Sequence, residues 1–383
     1  MKHIFSVYFA FTLLCALSCV AHYEYDPTFD VPVALSSPDS VALDVTSPTP
    51  VVLEWSGGGA ADGSIVQYDV LFAAADGSFD APVQTMPADL GALPRLTLTH
   101  AQLNVIARRA GISAMQSGAI RWTVTASKAG TVRRATIANT IVVARGAGID
   151  NIPDALFLFG SGVVAAGESE ARAFRRDDEG VFCIYTRLAD GAIRFRSAPD
   201  AIDGFGYFAV NGQLTEGAGS IDVQATAGNS PVRITVDFNA LAVTVQTVAN
   251  VRCIWGATFG VIGNMAYAGD GIFRALDCEI RFIDPSRPET NPPSWLSWTE
   301  ERYYFIAAID GADRCWGRRD GVSPERPTGS EPVEFYAIGE FTWDQWEHLW
   351  KMSGSLDLKR CDITIRSNSN NVFYHEFSNV RPL

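Results

Sequence analysis

Short alternating runs of apolar and polar residues recur along most of the chain, separated by clusters of Gly, Pro, Asp and Asn. Between Val41 and Ala147 they read VALDV, PVVLEW, IVQYDVLFA, RLTLT, AIRWTVTA and TIANTIVVA. A period of two with such punctuation predicts half-buried strands. Their spacing predicts a sandwich of the immunoglobulin or fibronectin type III kind over residues 35–147. One segment breaks the period. Thr99 and Gln102 form a capping-box pair, Leu103, Ile106, Ala107 and Ala110 share a face, and Gly111 supplies a left-handed stop. A helix is therefore expected over roughly residues 100–110. Trp55 and Trp122 lie inside strand patterns and are assigned to the core.

After a short hinge at GAGIDNIP, ALFLFGSG opens a second β-rich stretch whose strands include VFCIYTRL, IRFRS and VRITVDF. VRCIWGATFG at residues 251–260 then repeats the pattern of a strand entering a glycine loop. The expectation is all-β throughout, with two further sandwich domains over 153–248 and 250–383. Phe195, Phe205, Tyr207 and Phe208 stand near Arg194 and Arg196, either as a small aromatic and cationic site or, the reading favoured, as an ordinary amphipathic strand. Near the C-terminus, FTWDQWEHLWKM carries Thr342 and Gln345 as a second capping pair and sets Trp343, Trp346 and Trp350 on one face of a short helix. Trp346 and Trp350 are assigned to packing, and Trp343, at the exposed first turn, remains a site candidate. CDITIRS and VFYHEF around NSNN predict a terminal hairpin. His375 and Glu376 then point to opposite faces and form no catalytic dyad.

The densest chemistry lies in WLSWTEERYYFIAAIDGADRCWGRR, residues 295–319. Tyr303 to Ala308 read as a strand buried on both sides or packed under loops. The preceding loop, stiffened by Pro292 and Pro293, carries Trp295 and Trp298; the following turn leads to Trp316, Arg318 and Arg319. An indole covers the C–H face of a sugar while a guanidinium donates several fixed hydrogen bonds. Trp295, Trp298, Trp316, Arg318, Arg319 and Trp343 are therefore the candidate glycan-binding residues. The alternative is that these tryptophans belong to the core.

The start of the chain changes the picture of where it acts. Lys2 and His3 precede an apolar run from Ile4 to Leu17, too short to span a bilayer and suited to a secretory signal. Ala16-Leu17-Ser18-Cys19 resembles a lipobox, which makes 1–18 a signal peptide, Cys19 the lipidated first residue and 19–34 a polar tether. Cleavage near Ala21 by an ordinary signal peptidase is the alternative. The net charge of −13 argues against nucleic acid and anionic lipid as partners. Cys183, Cys253, Cys278, Cys315 and Cys361 show no metal-binding spacing, and their scatter suits buried small hydrophobes as readily as disulfides. No metal or cofactor is expected.

The order of WS strand, glycine turn, YDVLFA strand, GSFDAP turn, LTLTHAQLNVIARRAGI helix and GAIRWTVTAS strand resembles the N-terminal domain of the SusE family. That resemblance implies an outer-membrane lipoprotein of Bacteroidetes, displayed at the cell surface, that binds starch or another polysaccharide beside a TonB-dependent transporter. It also implies carbohydrate-binding-module-like C-terminal sandwiches. Their first glycine loop commonly carries a tryptophan; the 250–383 stretch has Trp255 there, and the 153–248 stretch has none after Phe157. Two other classes compete: a purely structural or protein-binding accessory lipoprotein of the outer membrane, a protein interface using the same Trp, Tyr and Arg enrichment, and a secreted glycoside hydrolase. No GxSxG or comparable nucleophile motif occurs, and Asp177, Asp178 and Glu179 read as a solvated turn, so no enzyme is expected.

Overall fold

The computed structural model describes residues 28–164, 171–199, 206–321, 325–343, 346–369 and 371–383. The signal segment and Cys19 lie outside the described residues. The chain divides into two compact units, Met1–Gly146 and Ala147–Leu383.

In the first unit, β1 (Pro32–Ser36), β3 (Val51–Gly57) and β6 (Arg95–Leu98) form one sheet. The other runs from β2 (Ser40–Ala42) through β9 (Asn139–Ala144), β7 (Ser117–Lys128) and β4 (Gln67–Ala74) to β5 (Gln84–Pro87), with β8 (Thr131–Arg134) folded back on β7. Alternation places Leu53 and Trp55 from the first sheet, and Phe72, Trp122 and Val124 from the second, in a common core. The helix α1 (His100–Arg109) is capped as its sequence predicts. The Thr99 hydroxyl accepts from the Gln102 amide at 3.1 Å, and the Gln102 side chain accepts from the Thr99 amide at 2.8 Å. Leu103 and Ile106 complete the core from above.

Residues 28–34 are not the tether expected of them. Phe29 is part of the core, Arg133 lies 5.6 Å over its ring and donates to its carbonyl at 2.6 Å, and β1 begins at Pro32 against β3. An aromatic side chain placed beside an open sheet edge finds more burial there than in water.

The second unit begins with β10 (Phe157–Phe159), β11 (Arg172–Ala173), β12 (Arg175–Asp178), β13 (Val181–Thr186), β14 (Gly191–Arg196), β15 (Gly206–Val210), β16 (Gln213–Gly217), β17 (Ile221–Val223) and β18 (Val232–Asp237). These lead into β19 (Ala242–Trp255), the strand on which the unit is organised. Residues Ala242 to Thr247 pair with β18; Val251 to Ile254 pair with β20 (Val261–Gly269), and Val248 to Trp255 run beside β22 (Arg302–Ile309). The boundary expected at 248–250 thus falls inside one continuous strand. The two stretches also share a core, in which Cys183 and Tyr185 of β13 join Phe273, Phe305 and Trp316.

Beyond β19, β22 continues through β23 (Ala312–Arg318) to β24 (Ile338–Phe341), and β25 (Trp350–Lys351) pairs with the start of β22. The facing ladder is β21 (Ile272–Ile280), β26 (Lys359–Ser369) and β27 (Val372–Pro382). β20 pairs with β19 over its first half and with β21 over its second, so it passes from one sheet to the other. Along β22, Tyr303, Phe305 and Ala307 face the core; Arg302, Tyr304 and Ile306 face outward. The terminal hairpin forms as predicted, with His375 buried and Glu376 on the opposite face against Arg366 at 2.9 Å.

The helix expected at FTWDQWEHLWKM does not appear among the described residues. Thr342 and Trp343 are irregular, Trp346 to His348 form a bend and turn, and Trp350 is a strand residue opposite Tyr303; Gln345 lies outside the described residues. Stacking of Trp350 on Tyr303, 5.7 Å apart and 24° from parallel, outweighs the weak helix preference of so short a segment.

Candidate functional site

On the outward face of β22 the second unit carries an aromatic cleft of about 750 Å³. Trp295, Trp298, Trp343, Trp346, Phe259 and Arg302 line it, with Gly256 and Ala257 as its floor. A Cβ on Gly256 would come within 2.4 Å of a Leu349 methyl, so any larger residue there would force the buried Leu349 side chain to shift.

Local structure explains the presentation. Trp295 and Trp298 flank Leu296, which is buried and anchors the loop, leaving the two indoles 52% and 49% exposed. Ile283 and Glu300 exchange backbone hydrogen bonds of 2.9 and 2.8 Å at the loop's end, and Thr299 donates to Asp284 at 2.8 Å. Bonds from Ser286 and Thr299 hold the Asp284 carboxyl well below the usual range, so this anchor stays ionised. On the opposite side Phe259, 59% exposed, caps the turn after β19. Its ring lies 5.4 Å from Trp343, which packs 4.9 Å from Tyr304. Trp346 completes the surface, 6.0 Å from Trp295 and beneath the Arg302 guanidinium at 5.2 Å.

One carboxylate organises the polar part. Glu300, 1% exposed, accepts from the Trp298 indole N–H at 2.7 Å, from the Arg302 guanidinium at 2.7 Å and from the Arg302 amide at 3.0 Å. Arg302 is the one charged residue among the described lining residues. Wide aromatic walls with a few fixed polar groups can cover the C–H faces of sugar rings and orient their hydroxyls.

The structure brings Trp295, Trp298 and Trp343 together and separates them from the other three candidates. Trp316 is 1% exposed, with Phe373, Tyr185 and Phe273 at 5.1, 6.0 and 6.5 Å, and cannot serve as a surface platform. Its place on β23 opposite Phe305 turns it inward. Arg318 is buried against the Phe335 ring at 4.8 Å and bonded to Asp320 at 2.9 Å. Arg319 is exposed but donates to the Asp177 carbonyl at 3.2 Å, at the rim of a separate crevice of about 240 Å³. In that crevice Arg175 pairs with Asp177, and Arg233 with Gln246 and Glu340. Two of the crevice's three guanidiniums, those of Arg175 and Arg233, are thus taken up by carboxylates. Phe195 is likewise core, packed 5.6 Å from Phe174, as an amphipathic strand requires.

Phe259, Trp346, Arg302 and Glu300 were not among the expected site residues. The one sequence signal for Arg302 is its place two residues from Tyr304, on the same face of the strand, and it does not by itself mark a site. Phe259 sits in the glycine loop, two residues beyond the Ala257 of the floor; nothing in the local pattern of Trp346 separates it from core.

Fold and cleft together define an all-β protein of sandwich architecture with an exposed aromatic cleft in its second unit. The SusE outer membrane protein family model matches residues 23–125, so the chain is SusE-like over its N-terminal region. A crystal structure of SusF from Bacteroides thetaiotaomicron aligns over 90% of this chain and 100% of its own, with a TM-score of 0.29 and 11% identity. No curated protein matches the sequence.

Proposed function

We propose that the chain is a glycan-binding lipoprotein of the outer membrane, anchored through Cys19 and displayed at the cell surface. It captures polysaccharide beside a TonB-dependent transporter and acts by binding, without chemistry of its own. The aromatic cleft carries this reading: two half-exposed indoles, a third and fourth ring behind them, and a guanidinium held between. The N-terminal match to outer membrane proteins supports the location. A single shallow cleft binds weakly, and many anchored copies on one polymer supply the avidity.

Affinity electrophoresis of the mature protein through gels containing neutral polysaccharides tests it. Retardation by at least one polymer, abolished in Trp295→Ala/Trp298→Ala of unchanged stability, is expected. Migration unaffected by every polymer would refute the reading and leave the cleft to a protein partner.

A further inference from the structure

The arrangement of Glu300 carries an inference about which glycans the cleft accepts, and it rests on the glycan-binding reading above. Arg302 is the one charged residue among the described lining residues of the cleft. Left alone, a guanidinium on an aromatic wall would recruit carboxylates or sulfates, because its planar donors match those groups. It is not left alone. Glu300 lies 2.7 Å from the guanidinium, has almost no contact with water, and takes the indole N–H of Trp298 on the same oxygen. The charge of Arg302 is countered at its source by a carboxylate shielded from water, so solvent screens the pair far less than it screens exposed charges. A chain of net charge −13 adds long-range repulsion toward anions.

We propose that Glu300 is the specificity-determining residue of the cleft. By neutralising Arg302 it restricts the site to uncharged sugars, and by holding the Trp298 indole it fixes the platform on which they rest. Arg302 then acts as a hydrogen-bond donor and as a cap on Trp346, and carries no net attraction for acidic glycans. Replacement of Glu300 by Gln keeps the shape and one acceptor oxygen while releasing the positive charge toward the cleft.

The test uses soluble starch and galactomannan, each before and after oxidation of its C6 hydroxyls to carboxylates, so that charge alone differs within a pair. Affinity is measured for wild type, Glu300→Gln and Glu300→Gln/Arg302→Gln at low and high salt. Wild type is expected to bind the neutral member and to reject the oxidised one. Glu300→Gln should gain about tenfold for the oxidised polymer, a gain removed by salt. The double variant should lose that gain. Wild type that binds a neutral polymer and its oxidised form equally overturns the inference, as does a Glu300→Gln protein of native melting temperature with an unchanged preference. Should Glu300→Gln fail to fold, the wild-type ratio decides: preference for the neutral member at low salt supports the inference, and salt-sensitive preference for the oxidised member overturns it. Wild type that binds no member of either pair overturns the glycan reading itself, an outcome distinct from the others.

Discussion

Phe259 shows most directly what the cleft demands of one residue. Its φ of 58° lies in the left-handed region, where a bulky side chain is rare and costs about 1–2 kcal/mol. Strain of this kind, combined with exposure, suits a ring placed to contact a ligand. Asparagine tolerates this backbone but loses the edge contact with Trp343, about 0.5–1.5 kcal/mol. The two effects offset each other, so Phe259→Asn should unfold within about 1 kcal/mol of wild type in urea while its glycan affinity falls. A protein destabilised by several kcal/mol would show that Phe259 is structural. Trp316→Ala, by contrast, empties a core position and should cost about 3–5 kcal/mol. The sequence could not separate these two aromatics by residue type. Trp316 sits beside paired arginines in a turn-rich stretch, and the register of β23 against β22 decides that it points inward.

At the scale of elements, β22 was the most legible and the Trp343–Trp350 segment the least. Tyr303, Phe305 and Ala307, alternating with Tyr304, Ile306 and Ala308, read as a strand buried on both sides or packed under loops. The structure sets the first three in the main core and Tyr304 in a smaller cluster on the other face. Tertiary stacking overrode a local helix pattern at Trp350. β22 is tied to the terminal hairpin by a buried polar link. The Tyr336 carbonyl can only accept, so the proton of His375 sits on Nδ1, 3.1 Å away, and Nε2 accepts from the Tyr303 hydroxyl at 2.7 Å. Burial pushes the His375 pKa down to about 3, against the weaker opposing pull of the Tyr336 bond. His375 is therefore neutral in the fold and takes up a proton in the unfolded chain below its ordinary value near 6.5. Stability is fully present above that pH and falls as pH drops toward about 3, by at most about 1.4 kcal/mol per pH unit. Urea midpoints should show this decline between about pH 6.5 and 4.5, before the carboxylates titrate, and His375→Gln should flatten it. An equal slope in both proteins would place the titration elsewhere.

Over the whole molecule, composition and strand spacing gave the all-β class, the first sandwich and the capped helix, because those signals are local. The extent of the second unit was not legible. VRCIWGATFG resembles the opening of a new module, yet the chain uses it to carry β19 from one ladder into the next, and the buried cluster spanning Tyr185 to Ile365 shows why. A core shared across the unit needs pairings distant in sequence, which no window of residues displays. The site followed the same division: its loop tryptophans were found from the proline-stiffened segment, and the Glu300–Arg302 pair and Phe259 emerged only once β19 and β22 were side by side. The proposed glycan site is this cleft, and not the crevice at Arg319. Isothermal titration of an oligosaccharide from a retaining polymer into wild type, Trp298→Ala and Arg319→Ala tests it most directly. A loss of about 1–3 kcal/mol is expected for Trp298→Ala, and wild-type affinity for Arg319→Ala. Undiminished affinity in a folded Trp298→Ala protein, with binding lost in Arg319→Ala, would contradict it.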